Sequence, residues 1–387
     1  MELYIHIPFC KRKCKYCSFV SFPADENQKE KYIDAVIREA EKRSAEFAEP
    51  IKTVYIGGGT PSLLSPAQLR RMIHHLRKLY SFSQVQEFTV EANPGTLTGP
   101  FLEAAAESGI NRISVGMQAY QSSLLNFLGR IHTFDDVKNS LKTARDCGFG
   151  NINLDLIFGI PFQTVKDWKQ TLEAAVSLEP EHISAYGLIP EEGTPLCNDL
   201  NHHLFDLPDQ EEERKMYDMA LVFLREHQYF QYEISNFSRR GYECIHNIGY
   251  WDQIPYVGLG VSAASMQIIG KTDKGTRCVR RTNPEKMDEY LKMIFDDNIS
   301  SVMTEEVSEK ESRFETMMLA LRMNRGIVPS RFVQLHNHPV ESFFGEKLKE
   351  LQQKGFMEEK NGIWKLTRKG MDFQNTVLVE FMEDSPS

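Results

Sequence analysis

Three cysteines fall within eight residues, spaced Cys10-x3-Cys14-x2-Cys17. Thiolates are the preferred ligands of an iron–sulfur cubane, and a loop this short can bring three of them to three irons. The fourth iron is then left without a protein ligand and is open to a small molecule. Lys11, Arg12, Lys13 and Lys15 lie among the cysteines, and positive neighbours favour thiolates and offset the charge of a cluster. Two plainer explanations of the spacing stay open: a zinc site, which normally takes a fourth Cys or His, and chance clustering. A second signal is Gly57-Gly58-Gly59-Thr60-Pro61. Glycines let backbone approach a ligand with no Cβ in the way, although a glycine run alone is weak evidence.

The elements that must position these residues alternate. Leu3–Ile7 reads as a first strand ending at Pro8, and Gln28 to Phe47 has helical spacing through Tyr32, Val36, Ala40 and Phe47. The unit then repeats as strand Thr53–Ile56, a helix after Ser65-Pro66, strand Glu87–Glu91, a helix around Pro100–Glu107 and strand Arg112–Gly116. Helical segments around Ser122–Leu128 and Asp135–Cys147 follow, then strand Asn151–Phe158, helix Val165–Leu178 and strand His182–Leu188. Six short apolar strands separated by helices predict an α/β fold with a parallel sheet. Right-handed crossovers would roll it into a partial (β/α)6 TIM-like barrel or an open doubly wound sheet, of which the barrel is favoured.

Polar residues stand at the strand ends: the glycine run, Glu91, Gln118, Asp155 and Tyr186. Ligands of parallel α/β domains sit at that edge, so these residues predict one rim around one ligand. The plainer reading of any single one is a cap on the following helix.

The pattern changes near Pro208, which predicts a barrel over 1–205, a barrel extension over 206–300 and a separate module over 301–387. Helix Gln210–Glu226 leads into an irregular, glycine- and aromatic-rich stretch, Tyr229–Met266; Met287, Tyr290, Leu291, Ile294 and Phe295 then share one helical face. Ser308 and Glu311 form a capping box opening a helix expected to run to Gly326. Asn361-Gly362 between Phe356–Glu359 and Ile363–Leu366 is a hairpin signal. Helices followed by such a hairpin predict a C-terminal α+β, winged-helix-like domain. Its 12 Lys+Arg against 14 Asp+Glu leave no basic stripe for DNA, so packing or lid duty is expected. Glu383–Ser387 are expected to fray.

Composition narrows the classes. With 41% hydrophobic and 26% charged residues the chain is globular, and its net charge of −9 argues against nucleic acid or an anionic membrane as partner. No run of ~18 apolar residues predicts a membrane span, and the start has no signal-peptide pattern. The seven cysteines do not suit a secreted disulfide framework, and Cys147, Cys197, Cys244 and Cys278 are scattered, so a reduced, cytoplasmic setting is expected.

The cysteine spacing is that of the radical SAM superfamily, in which S-adenosylmethionine (SAM) chelates the open iron of a [4Fe–4S] cluster and one electron cleaves it to a 5′-deoxyadenosyl radical. Nearly the whole chain resembles the oxygen-independent coproporphyrinogen III oxidase family. The resemblance rests on Tyr4-Ile5-His6-Ile7-Pro8-Phe9-Cys10, Gly57–Pro61, Val90-Glu91-Ala92-Asn93-Pro94, Val115-Gly116-Met117-Gln118, Asp155–Pro161 and Glu192-Gly193-Thr194-Pro195-Leu196. It implies that Cys10, Cys14 and Cys17 hold the cluster, that Tyr4, Tyr16, Gly58, Gly59, Thr60 and Glu91 line the bound SAM, and that Gln118, Arg130 and Asp155 make further SAM contacts. By type, Glu91 can accept from an amino group or ribose, Arg130 can pair with a carboxylate and Asp155 can accept from a hydroxyl. The plainer readings are a surface ion pair for Arg130 and a helix cap for Asp155.

Two features bear on the subfamily. The oxidases carry a fourth cysteine two residues after the third, where this chain has Phe19, and a sizeable segment before the first strand. In addition, His246-Asn247-Ile248-Gly249-Tyr250-Trp251, followed by Gly258–Ser265, resembles the HemW group of heme chaperones. A neutral imidazole can ligate heme iron, and Tyr250 and Trp251 offer flat apolar faces to a porphyrin. Cys244 is an alternative ligand; the plainer reading is a buried, hydrogen-bonded histidine beside a core Tyr-Trp pair.

The resemblance implies a chaperone that binds heme and passes it to acceptor proteins, without coproporphyrinogen oxidase activity. The alternatives are oxidative decarboxylation of coproporphyrinogen III and radical methylation of a tetrapyrrole. Expected partners are heme, heme-acceptor proteins and an electron donor for the cluster, with a homodimer through the cluster loop as a further option.

Overall fold

The computed structural model describes residues 1–46, 49–273, 275–296 and 302–382. Its centre is a sheet of six parallel strands: β1 (Glu2–Ile7), β2 (Thr53–Gly58), β3 (Glu87–Ala92), β4 (Arg112–Gln118), β5 (Ile152–Phe158) and β6 (His182–Gly187). Each is apolar and almost wholly buried, as strands covered by helices must be. They pair in chain order without a reversal, with registers such as Glu2↔Thr53, Thr53↔Glu87 and Asn153↔His182. A doubly wound sheet needs such a reversal; sequential order with right-handed crossovers keeps every helix on one face and curls the sheet into a partial barrel.

The crossovers are α1 (Glu26–Lys42), α2 (Pro66–Leu79), α3 (Gly99–Glu107), α4 (Ser122–Phe127), α5 (Phe134–Asp146) and α6 (Val165–Ser177). Their starts are local: Asp25, Ser65, Thr133 and Thr164 each cap the backbone three residues on, and the residue there bonds back. The predicted first helix ends five residues early, at Lys42, and Phe47 lies outside the described residues. Tyr32, Val36, Leu69, Met72, Phe101, Leu141, Trp168 and Leu172 pack these helices against Leu3, Ile5, Val54, Val90, Ile113 and Leu154.

Beyond β6 come α7 (Pro195–Asn201) and α8 (Gln210–Glu226), then β7 (Phe230–Gln231) and β8 (Asn236–Ser238); β8 pairs antiparallel with β6, and β7 antiparallel with β8 at the sheet edge. After α9 (Ile245–Trp251), strand β9 (Tyr256–Leu259) returns to the opposite edge and pairs parallel with β1. The antiparallel strands β10 (Ala264–Thr272), β11 (Gly275–Thr282) and β12 (Met303–Val307) continue outward from it, with α10 (Met287–Phe295) between the last two. One twelve-stranded sheet results. The irregular reading of Tyr229–Met266 missed β7 to β9 because strands of two to four residues carry too few positions to show alternation.

The C-terminal module holds α11 (Glu309–Ala320), α12 (Pro329–His336), α13 (Glu341–Gln353), the hairpin β13 (Met357–Lys360) and β14 (Ile363–Leu366), α14 (Arg368–Asp372) and α15 (Gln374–Val379). Ser308 and Glu311 form the expected box. The helix stops at Ala320, short of Gly326, where a φ of 74° turns the chain so that the Ile327 amide donates to the Trp364 carbonyl. Asn361 and Gly362 both have positive φ, the backbone of a type I′ turn. Met317, Phe332, Phe344, Leu348, Trp364 and Phe381 form a core of their own. The expected fraying of 383–387 lies outside the described residues. Among the described residues no helix is long and apolar enough to cross a membrane.

Candidate functional site

The cysteines occupy the loop that leaves β1 at the carboxyl edge of the sheet. Its base is closed by Cys10 and Phe22 amides donating to the Phe22 and Pro8 carbonyls, and its far side by Lys15 donating to the Leu128 carbonyl and accepting from the Leu196 amide. The glycine run seals the third side: Gly59 and Thr60 amides donate to the carbonyls of Ile7 and Phe9 at 2.8 and 2.7 Å. A Cβ at Gly59 would stand 2.8 Å from the Phe9 oxygen, so only glycine allows this approach.

Two cysteines touch groups from the neighbouring strand ends. Cys10 Sγ lies 3.4 Å from Thr60 Oγ1, and Arg130 Nη1 donates to Cys14 Sγ at 3.5 Å. Asn93, at the end of β3, ties them together: its amide donates to Thr60 Oγ1 at 2.7 Å and its oxygen accepts from Arg130 Nη2 at 2.8 Å. Arg130 also donates to the Gly116 carbonyl, and its Nε is buried without a partner. Gln118, the last residue of β4, has φ 65°, and its amide and Arg130 Nη2 fill the space that a Cβ on Gly116 would need. These groups border a pocket of about 50 Å³ lined by Cys14, Thr60, Asn93 and Arg130. Arg130 is buried and so is no surface ion pair.

Deeper in the mouth, Glu91 accepts from Tyr55 Oη at 2.8 Å and from the Gly58 amide at 3.0 Å. Burial, and second the charge of Asp155, push its pKa up to about 7. Gly58 has φ 108°, and its missing Cβ leaves room for the His6 ring, which Tyr4 Oη meets at 3.0 Å. Asp155 lies within β5 and accepts from Ser114 Oγ and Asn153 Nδ2, so it caps no helix; burial raises its pKa. Tyr16 leaves the cysteine loop to pack with Leu124, Leu125, Leu128 and Ile160. Asn93, Tyr55 and His6 were not named from sequence as site residues, although Asn93 stands two places after Glu91 in the same strand-end motif.

The basic residues of the loop do less than their number suggests. Lys13 is held by the Phe19 carbonyl, Lys15 pairs with Asp199, and burial outweighs Lys13 in pushing the Cys17 thiol up. The nearby Cys14 and Cys10 push the same way. Thiolates crowded this closely would repel one another, and a shared positive centre would relieve that repulsion. Among the described residues no group of three or more His, Cys, Asp or Glu side chains is arranged to hold a single metal ion. A cubane asks for something different, since its three thiolates bind three separate irons.

Residues 4–175 match the model of the radical SAM superfamily, and residues 307–373 match that of the HemN C-terminal domain. The protein named heme chaperone HemW of Bacillus subtilis is 37% identical over 381 residues, covering 98% of this chain and 98% of that protein. The chain belongs to the HemW family. The HemW of Lactococcus lactis is 35% identical over 98% of this chain and 97% of its own length. The coproporphyrinogen III oxidase HemN of Escherichia coli, a radical SAM enzyme, superposes with a TM-score of 0.82 over 98% of this chain and 89% of that one. At 22% identity that likeness is one of fold.

The HNxxYW motif of this HemW-family chain lies far from the cysteines in register, at the amino ends of β1 to β3. Glu87 holds the start of α9, accepting from the amides of Ile245 and His246 and from Cys244 Sγ. His246 is 1% exposed; Nδ1 is 2.8 Å from Thr53 Oγ1, Nε2 is 3.0 Å from Tyr250 Oη, and the ring stacks on Tyr55 at 5.1 Å. Burial, then Arg112, lowers its pKa to about 3. The nearby Glu2 carboxyl is pushed up to about 9 by burial, so at neutral pH both groups are neutral and their contact is no ion pair. Trp251 lies under the Arg322 guanidinium at 4.6 Å. As packed, His246 has no ring nitrogen free for iron, and the geometry is that of a hydrogen-bonded core histidine.

Proposed function

We propose that this chain is a cytoplasmic heme chaperone that binds heme and passes it to acceptor proteins. What carries the reading is its similarity, from end to end, to proteins named heme chaperones, together with a cysteine loop stitched to the end of β2. Cys10, Cys14 and Cys17 would hold a [4Fe–4S] cluster, which when bound supplies one-electron chemistry to SAM. All seven cysteines are free thiols, which suits a reducing compartment.

The chain's own groups divide the work of holding SAM. Gly58, Gly59 and Thr60 bring backbone close to the cysteine loop, and Tyr4 and Tyr16 would line the bound SAM. Glu91 has a second lone pair on each oxygen for an amino group or ribose. Arg130 and Gln118 meet over Gly116, where a carboxylate can pair with the buried guanidinium. Asp155, with its raised pKa, can accept from a hydroxyl deeper in the barrel.

The test is heme titration of the anaerobically reconstituted protein beside incubation with coproporphyrinogen III and SAM. The expected outcome is stoichiometric heme uptake with transfer to an apo-hemoprotein and no protoporphyrinogen. Appreciable protoporphyrinogen, or no heme uptake, would overturn it.

A further inference from the structure

Asn93 stands between Thr60, just past the end of β2, and Arg130, in the connection from α4 to α5. Given the cluster reading, on which this rests, we propose that Asn93 is a positioning residue: anchored by Arg130, it turns the Thr60 hydroxyl proton onto Cys10 Sγ, and that hydrogen bond raises the reduction potential of the cluster.

The polarity of the chain of bonds is fixed from the arginine end. A guanidinium can only donate, so the side-chain oxygen of Asn93 must face Arg130, whose Nη2 donates to it at 2.8 Å. The amide nitrogen then faces Thr60 and donates to its Oγ1 at 2.7 Å. Thr60 therefore accepts from Asn93 and keeps its own proton to give. Among the described residues Cys10 Sγ, at 3.4 Å, is the acceptor that meets this hydroxyl. A ligating thiolate carries no proton, so Thr60 is the donor of that pair. Thr60 is 1% exposed, which leaves water little chance to compete for the hydroxyl. The anchor is firm as well, since Arg130 also donates to the Gly116 carbonyl and to Cys14 Sγ.

Asn93 itself is held still. Pro94 and Gly95 follow it in a turn closed by the Thr96 amide, which donates to the Asn93 carbonyl at 3.1 Å. Gly95 takes φ 77°, as the third position of a type II turn requires. Thr96 Oγ1 donates to the same carbonyl at 2.6 Å and meets Ser62 Oγ at 2.5 Å, which ties the turn to the segment after Thr60. A donor held this way needs no rearrangement when an electron arrives. Its positive end offsets the negative charge that reduction adds, and hydrogen bonds to sulfur are among the levers that set iron–sulfur potentials.

The experiment reads the midpoint potential of the reconstituted full-length protein, without SAM, from the electron paramagnetic resonance of the reduced cluster at set potentials. Iron and sulfide content and melting temperature are the loading and folding controls. Thr60→Val removes the hydroxyl at constant shape. Asn93→Asp keeps the acceptor for Arg130 but presents a carboxylate oxygen to Thr60, so the hydroxyl turns away from Cys10. Both variants are expected to lower the potential, Thr60→Val by about tenfold in the one-electron reduction equilibrium, or about 59 mV. Thr60→Ser keeps the wild-type value. The added charge of Asn93→Asp lowers the potential by itself, and the double variant separates the two effects. Once Thr60 has no proton to turn, the shift from Asn93→Asp shrinks. A wild-type potential in Thr60→Val, or strictly additive shifts in the double variant, would overturn the role of Asn93 and leave the cluster reading standing. If Thr60→Val takes up no cluster, the other two single variants decide. Any result but a wild-type potential in Thr60→Ser and a lowered one in Asn93→Asp then sinks the proposal. A wild type that takes up no cluster would sink both readings.

Discussion

Thr53, the first residue of β2, meets the His246 ring at 2.8 Å and so fastens α9 to the amino edge of the barrel. Tyr250 takes the other nitrogen at 3.0 Å. His246→Ala leaves the Tyr250 hydroxyl without its partner in a buried place and removes one from Thr53, which costs about 1–3 kcal/mol. Denaturant unfolding should report that loss, whether or not heme is present. A fully stable variant would show that this bond network contributes little.

The same ring makes the protein acid-sensitive. Its folded pKa of about 3 lies below the ordinary 6.5, so the unfolded chain takes up the proton first. The contribution is intact above pH 6.5 and is lost as pH falls toward 3. The melting temperature of His246→Gln should therefore fall less over that window than that of the wild type. Equal slopes would mean that His246 titrates normally in the fold.

Gly59→Ala places a methyl 2.8 Å from the Phe9 oxygen and 2.9 Å from that of Ile7. The cysteine loop must move off β2, so iron and labile sulfide after reconstitution should fall well below wild type while far-ultraviolet circular dichroism holds. Cys14→Ala serves as the reference for full disruption. Wild-type cluster content in Gly59→Ala would separate the loop position from cluster binding.

Arg130→Lys keeps the charge and loses the planar fork that reaches Cys14, Asn93 and Gly116 together. Equilibrium dialysis should show SAM binding weakened about tenfold. Unchanged affinity would make Arg130 a strut for the strand ends and nothing more.

Arg331 ties the C-terminal module to α9 by donating to the carbonyls of Asp252 and Gln253 at 2.8 and 3.0 Å. Arg331→Ala should cost about 1–3 kcal/mol and speed proteolysis between module and barrel. A protease pattern identical to wild type would show that other contacts suffice.

Family and fold class were legible in the residues themselves. Cysteine spacing, the glycine run and strands alternating with helices are local patterns, and the helix expected after Ser65 begins there, capped by that serine. Local chemistry also placed the 361–362 turn, since only a backbone free to take positive φ makes it.

Long-range packing decided the rest. That Asn93 bridges Thr60 and Arg130, or that β9 returns to lie beside β1, depends on groups tens to hundreds of residues apart in sequence. The motif His246–Trp251 shows the limit most plainly. Its residue types suit a porphyrin or a protein core equally well. Which atoms surround an imidazole is set by tertiary contact, and here Thr53 and Tyr250 occupy both nitrogens.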